Sequence, residues 1–210
     1  MKDVLELFIR VYEISPIPLR MAYGIWCAFI GLYIYASYHD HYNSPIRPRR
    51  PVQHNSPNVL VVLGLATVFL YTIAHLKQWP IHYSLIGDEA ISFVGLPLML
   101  IGLFVVAAAR AALNGYWGPH IYEYEDPKDS ILIKKGIYGQ LRHPIYLGQI
   151  FMAVGTLILS DSIIFLLFAV PLSLFNVVKA QRESRYLHRK FGDSFVEYKN
   201  TVAWFCPGLF

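Results

Sequence analysis

The sequence predicts an all-α, polytopic membrane bundle of about five transmembrane helices, with an N-terminal interfacial helix and cytoplasmic C-terminal helices. Three observations carry that expectation. Of the 210 residues, 55% are hydrophobic and only 15% charged, where a soluble domain carries about 25% charged residues. The apolar residues gather in runs close to the ~20 residues that cross a bilayer as a helix. The basic residues are shared unevenly among the segments between those runs, and mean hydropathy is +0.41.

Residues 1–15 alternate Val4, Leu5, Phe8, Val11 and Tyr12 with Lys2, Glu6, Arg10 and Glu13. That spacing gives a short amphipathic helix, too charged to span and suited to the interface. Asp3, Glu6 and Glu13 also interrupt any apolar core of a cleavable signal. Ser15-Pro16-Ile17-Pro18 ends the segment, and a first span runs over about 21–37. A polar loop with Arg47, Arg49 and Arg50 precedes the second span, about 59–76, and the third covers about 90–109. Gly95, Pro97 and Gly102 fall in the third, where membrane helices tolerate Gly and Pro. The long polar stretch 110–143 leads to a fourth span, about 144–159. Ser160-Asp161-Ser162 is a tight turn into the fifth, about 163–178, so the last two spans form an antiparallel hairpin. The basic tail reads as helical to near Pro207. The organisation is one membrane domain, 1–210, divided into residues 1–130 with the interfacial helix and spans one to three, and a motif-bearing region 131–210.

Five spans put the termini on opposite sides. Lys2, Arg10, Arg20 and Lys77 lie on one side, and the other fourteen of the eighteen Lys and Arg residues on the other. The positive-inside rule makes the richer side cytoplasmic, so the N-terminus is outside and the C-terminus inside. Topology and anionic membrane lipids account for the basic balance without nucleic acid. Cys27 and Cys206 suggest neither a disulfide nor a metal site, and Cys206 stands one position too early for a prenylation box. His39-Asp40-His41 lacks a third ligand at convincing spacing, so no metal is expected. His75, His82 and His120 read as interfacial, and Tyr71, Trp79, Tyr83, Tyr116 and Trp117 as aromatic belts.

The polar chemistry concentrates in two clusters. The first is Gly136-Ile137-Tyr138-Gly139-Gln140-Leu141-Arg142-His143-Pro144-Ile145-Tyr146-Leu147-Gly148. Pro144 suits the first turn of a helix, where its missing N–H would be unpaired anyway. Arg142 and His143 then sit at the positive end of the fourth span, where free N–H groups and the helix dipole attract anions. Arg142 adds a fork suited to carboxylate or phosphate. Tyr146 offers a ring to a cation, and Gly148 permits close approach of a backbone or a ligand. As isolated residues, Arg142 and His143 read equally well as interface anchors. The second cluster, Lys179-Ala180-Gln181-Arg182-Glu183-Ser184, sets Lys179 and Glu183 four apart on one helix face. By itself it reads as a solvated helix with a weak ion pair, or as a carboxylate with cations at the membrane surface.

Taken together, Gly-x-Tyr-x-x-x-Arg-His-Pro-x-Tyr-x-Gly, a hydrophobic hairpin and Glu-x-x-x-Leu-x-x-x-Phe-Gly-x-x-Phe-x-x-Tyr resemble the isoprenylcysteine carboxyl methyltransferase family, related to membrane phospholipid methyltransferases. The resemblance covers about 130–207; the first three spans are only generically similar. It implies a membrane bundle with a cytosol-facing S-adenosylmethionine pocket capped by C-terminal helices, and a lipophilic acceptor entering from the bilayer. Tyr138, His143, Tyr146 and Glu183 match motif positions lining that pocket or the reaction centre. Departures are Ser130-Ile131-Leu132-Ile133 for a usual His-x-Leu-Val, Ser184 for the second of two glutamates, Lys179 as the basic residue, and Val202-Ala203 for Val-Pro.

The resulting expectation is a methyltransferase acting on a prenylcysteine-like carboxylate, with phospholipid amine methylation as the alternative. Tyr138, Arg142, His143, Tyr146 and Gly148 would bind the cofactor. Glu183, Lys179 and Arg182 would serve the acceptor, the cations orienting a carboxylate and Glu183 taking a proton from an amine or hydroxyl. A sterol-type NADPH reductase, which shares an Arg-His-Pro-x-Tyr motif but is longer, and a non-catalytic lipid-binding protein are the other classes.

Overall fold

The computed structural model describes residues 17–43, 86–87, 89–113 and 131–205, together with Glu6. The expected interfacial helix apart from Glu6, the second span, the loop arginines, Ser130, and His75, His82 and His120 lie outside the described residues. The elements are α1 (Ile17–Asn43), α2 (Glu89–Ser92), α3 (Gly95–Leu113), a 3-10 turn (Gly136–Gly139), α4 (Pro144–Ser160), a second 3-10 turn (Ile163–Phe165), α5 (Leu166–Phe191) and α6 (Asp193–Thr201). The all-helical expectation holds for the described residues, where only an isolated bridge between Leu141 and Ala203 departs from it. Gly95–Leu113 and Ile163–Phe191 are long and apolar enough to cross a membrane, while Arg20–Leu32 and Pro144–Ser160 are shorter apolar stretches.

Helix α4 is the centre of the bundle, and glycines set how closely α3 lies against it. Gly95 faces Gly155, and Gly102 faces Gly148. A Cβ on Gly102 would lie 2.5 Å from the Gly148 carbonyl oxygen, and one on Gly148 would lie 2.6 Å from that of Gly102. Small residues let membrane helices approach backbone to backbone, which suits association where no hydrophobic effect separates helix from lipid. Gly102→Ala is therefore expected to destabilise the folded protein by about 1–3 kcal/mol, the usual cost of overpacking. Gly24→Ala on α1, where an added Cβ meets nothing within 4 Å, is the neutral control. Thermal melts of the two variants in one detergent check the contrast.

Helix α1 completes this side. Ala22 and Ile25 pack with Met99, Met152 and Leu159, and Trp26 Nε1 donates to Thr156 Oγ1 at 2.9 Å. That hydroxyl in turn donates to the Met152 carbonyl at 2.7 Å, so neither polar group is left without a partner in the core. On the other side of α4, Ala153 packs with Phe168, Ala169 and Leu172 of α5.

The turn falls where the sequence places it. Asp161 adopts the left-handed conformation, with φ of 44°, and its carboxylate accepts from the backbone N–H groups of Ile86 at 2.6 Å and Gly87 at 3.2 Å. Three boundaries differ from expectation, the first being α1, which runs Ile17–Asn43 where the span was expected over about 21–37 with a loop beyond it. The third span begins at Gly95, because Phe93 and Val94 form a turn between α2 and α3. The fifth span and the polar tail are one continuous helix as far as Phe191, ended by Gly192 at φ 51°. Charge begins at Lys179, but the backbone ladder carries on regardless.

At the opposite end from Asp161, α6 folds back over the segment that leads into α4. Phe195, Tyr198 and Val202 form a buried cluster with Leu132, Leu187 and Phe191. Tyr198 Oη donates to the Tyr138 carbonyl at 2.7 Å, and Arg142 N donates to the Ala203 carbonyl at 2.8 Å. A proline at position 203 would supply the same carbonyl, so the Val202-Ala203 departure leaves this clasp intact.

Candidate active site

The α4–α5 hairpin brings the two sequence clusters together at its open end. His143 immediately precedes Pro144, the first residue of α4, and its side chain does not cap that helix. It reaches across to α5 instead and is only 3% exposed. Nε2 lies 2.7 Å from Ser184 Oγ in a hydrogen bond whose direction depends on the tautomer. Nδ1 lies 3.4 Å from Glu183 Oε2, a close polar contact without the geometry of a hydrogen bond. Adjacent residues on a helix diverge by about 100°, so Glu183 and Ser184 meet the ring from two directions. The ring also neighbours Tyr146 at 5.9 Å and Phe205 at 6.2 Å between centroids.

Arg142 is buried, and its Nε has no hydrogen-bond partner. Desolvation lowers its pKa from the ordinary guanidinium value, with Tyr198 opposing the shift. Burial pushes the Tyr138 phenol well above its ordinary value; Glu183 and then Tyr198 add to the rise, while Arg110 works against it. Burial also raises Tyr198 first, partly offset by Arg142, with Glu183 adding to the rise. Both phenols are therefore neutral at physiological pH.

The hairpin unites His143, Tyr146 and Glu183 directly, and the clasp brings Arg142 alongside through Ala203 and Tyr138 through Tyr198. Three expected residues stand differently. Gly148 does allow a close approach, but its neighbours are Gly102 and Val106 of α3. Lys179 Nζ lies over the Phe175 ring at 5.2 Å, and Arg182 is exposed. Ser184, which entered only as a missing glutamate, holds the shortest contact to His143. Its signal was its position beside Glu183, opposite a histidine known to begin the facing helix. Among the described residues, no group of three or more His, Cys, Asp or Glu could hold a metal.

An antiparallel hairpin of apolar helices that closes over a partly buried His–Glu–Ser contact defines a class of helical protein with a polar site at one end. The phospholipid methyltransferase family model matches residues 90–194, and the chain belongs to that family. The match takes in both motif clusters and extends the likeness upstream through α3, beyond the region the motifs alone covered. The chain is 31% identical over 122 residues to the protein-S-isoprenylcysteine O-methyltransferase of Saccharomyces cerevisiae, covering 58% of this chain and 50% of that protein. It is 37% identical over 121 residues to the Schizosaccharomyces pombe protein of the same name, covering 57% and 49%. The chain thus spans about half the length of the curated relatives it matches. A solved structure of the eukaryotic intramembrane Ras methyltransferase, isoprenylcysteine carboxyl methyltransferase, superposes with a TM-score of 0.64 at 18% identity. That superposition covers 95% of this chain and 70% of the other, so the two share a fold. The resemblance read from the two motifs is borne out.

Proposed function

We propose that the chain is an integral-membrane methyltransferase that uses S-adenosylmethionine to methylate a prenylcysteine-like carboxylate at the cytoplasmic face. The observation that carries this reading is the His143–Glu183–Ser184 contact, built from both family motifs. The residues fit a zwitterionic sulfonium cofactor. Arg142 Nε, a buried donor without a partner, suits its carboxylate. Glu183 and the Tyr146 ring suit the cationic end. When bound, the sulfonium would supply an activated methyl group to the acceptor's carboxylate oxygen and leave as the neutral thioether, while Arg142, Glu183 and Tyr146 would hold the cofactor.

No proton moves in that reaction, so the chain's work is to align the groups and exclude water. His143, held between Ser184 and Glu183, fixes the distance between α4 and α5. The clasp of Tyr198 and Ala203 shields the same end. Exposed Arg182, with Lys179, would draw the acceptor carboxylate toward the mouth. The cytoplasmic placement of this end, and five spans with the N-terminus outside, rest on the charge asymmetry. The family's description favours phospholipid amine methylation as the second reading; there Glu183 would receive the amine's proton.

Ligand-dependent melting in detergent tests the cofactor. S-adenosylmethionine and S-adenosylhomocysteine should each raise Tm, because a ligand that binds only the native state stabilises it by about 2.7 kcal/mol at a hundredfold excess over Kd. NADPH should have no effect. A shift with NADPH alone would replace this reading with a reductase, and no shift with any of the three would leave a lipid-binding protein.

A further inference from the structure

Helix α5 has two faces, and the proposed site uses only the inner one. Phe168, Leu172, Asn176 and Ala180 are buried at four-residue steps. On the outer side, Leu167 is 78%, Leu174 60% and Val178 42% exposed. Arg182, Arg185 and Arg189 follow, all exposed. Positions 167, 174, 178, 182, 185 and 189 recur at steps of three, four or seven, so they form one stripe along the helix.

The stripe changes from apolar to cationic at the depth where hydrocarbon gives way to headgroups. Residues 163–178 supply about 24 Å of helix against a hydrocarbon core of ~30 Å. One further turn reaches Arg182, about 29 Å from Ile163, and Arg185 follows at about 33 Å. Arg189, at about 39 Å, stands at the outer edge of a headgroup layer about 5–8 Å deep.

No charge within α5 balances this row. Glu183 is the one carboxylate in the helix, and it is turned toward His143 across the hairpin. Among the described residues, Arg182, Arg185 and Arg189 take part in no ion pair. Like charges at such spacing repel one another on a helix, and the planar fork of arginine matches phosphate oxygens. A row of this sign calls for an anion from outside the chain, and the apolar half of the stripe calls for acyl chains. We propose that the outer face of α5 docks an anionic phospholipid, its phosphate on Arg182, Arg185 and Arg189 and its chains along Leu174 and Val178. The inference rests on the membrane placement of α5 and not on the methyl-transfer chemistry. Glu183 and Ser184 stand on the inner side of the same turns, so a docked lipid steadies the part of α5 that meets His143.

The test follows thermal unfolding of the whole chain in an uncharged detergent, titrated with dioleoylphosphatidylglycerol or dioleoylphosphatidylcholine. Phosphatidylglycerol should raise Tm, and the zwitterionic lipid with the same chains should do far less. Arg185→Gln/Arg189→Gln leaves Arg182 to the acceptor and should keep the lipid-free Tm. Its affinity for phosphatidylglycerol should fall by about thirtyfold, the usual effect of two cations at an anionic surface. Lys135→Gln/Lys199→Gln removes the same charge from exposed positions off the stripe and should behave as wild type. Equal stabilisation by the two lipids overturns the proposal. An equal loss in both double variants also overturns it, because the row would then be diffuse charge. Glycerol phosphate that substitutes for the lipid at equal concentration overturns it in favour of a free anion. A wild-type dimer that dissociates in the arginine variant overturns it in favour of a second copy. Release of the chain from membranes by alkaline carbonate would overturn the membrane placement and the proposal together.

Discussion

Glu183→Gln is expected to lower methyl transfer by about 10²-fold or more while leaving the bundle folded. The substitution keeps shape and removes charge at a side chain 3.4 Å from a buried imidazole. A positioned acid–base group contributes about 10²–10⁴-fold, and an electrostatic contact preorganised in a dry site has a similar effect. The pattern distinguishes the two acceptor classes. With a carboxylate acceptor, Glu183 positions the cofactor and His143, so affinity for S-adenosylhomocysteine falls together with turnover. With an amine acceptor, Glu183 also receives a proton, so turnover falls by more than the loss of cofactor affinity accounts for. A Glu183→Gln protein with wild-type turnover on its true acceptor would reduce Glu183 to an ion-pair partner at the helix surface.

The second large effect is assigned to His143 and Ser184. Removing the imidazole by His143→Ala takes away the link between the first turn of α4 and α5, and cofactor affinity should collapse without loss of the helical fold. Ser184→Ala keeps the ring but strands Nε2 in a buried place. An unsatisfied buried polar atom costs about 1–3 kcal/mol, so affinity or turnover should fall by about tenfold, the equivalent of ~1.4 kcal/mol. Ser184→Thr retains a hydroxyl on the same helix position and should recover most of it. Motif comparison alone leads to the opposite expectation for Ser184, that its loss matters little. Equilibrium binding of S-adenosylhomocysteine by the three variants decides between them. Equal affinity in Ser184→Ala and wild type would return Ser184 to a bystander.

Much of this was legible in the residues. Pro144 marked the start of α4 and Asp161 its end, because both impose backbone conformations that few residues share. The order Arg142-His143-Pro144 placed the polar cluster at the open end of the hairpin. Hydropathy did not reveal that α5 continues to Phe191, since charge ends a membrane span without ending a helix. Gly148 signalled close approach but not its partner, which is the backbone of α3. Spacing along one helix suggested that Glu183 faces Lys179; the hairpin supplies His143 across the seam, a contact no single-helix argument contains. Ser184 was hidden for a related reason. A pattern registers what a position lacks, and only packing shows what its hydroxyl touches.

The most direct measurement is methyl transfer by the purified chain in liposomes. S-adenosylmethionine labelled in its methyl group is supplied with an N-acetylated farnesylcysteine whose carboxylate is free, or with phosphatidylethanolamine as the only acceptor lipid. The account predicts label on the farnesylcysteine as a base-labile methyl ester, lost in His143→Ala and Glu183→Gln. Base-stable label on the amine lipid alone, or label on neither acceptor, would contradict it.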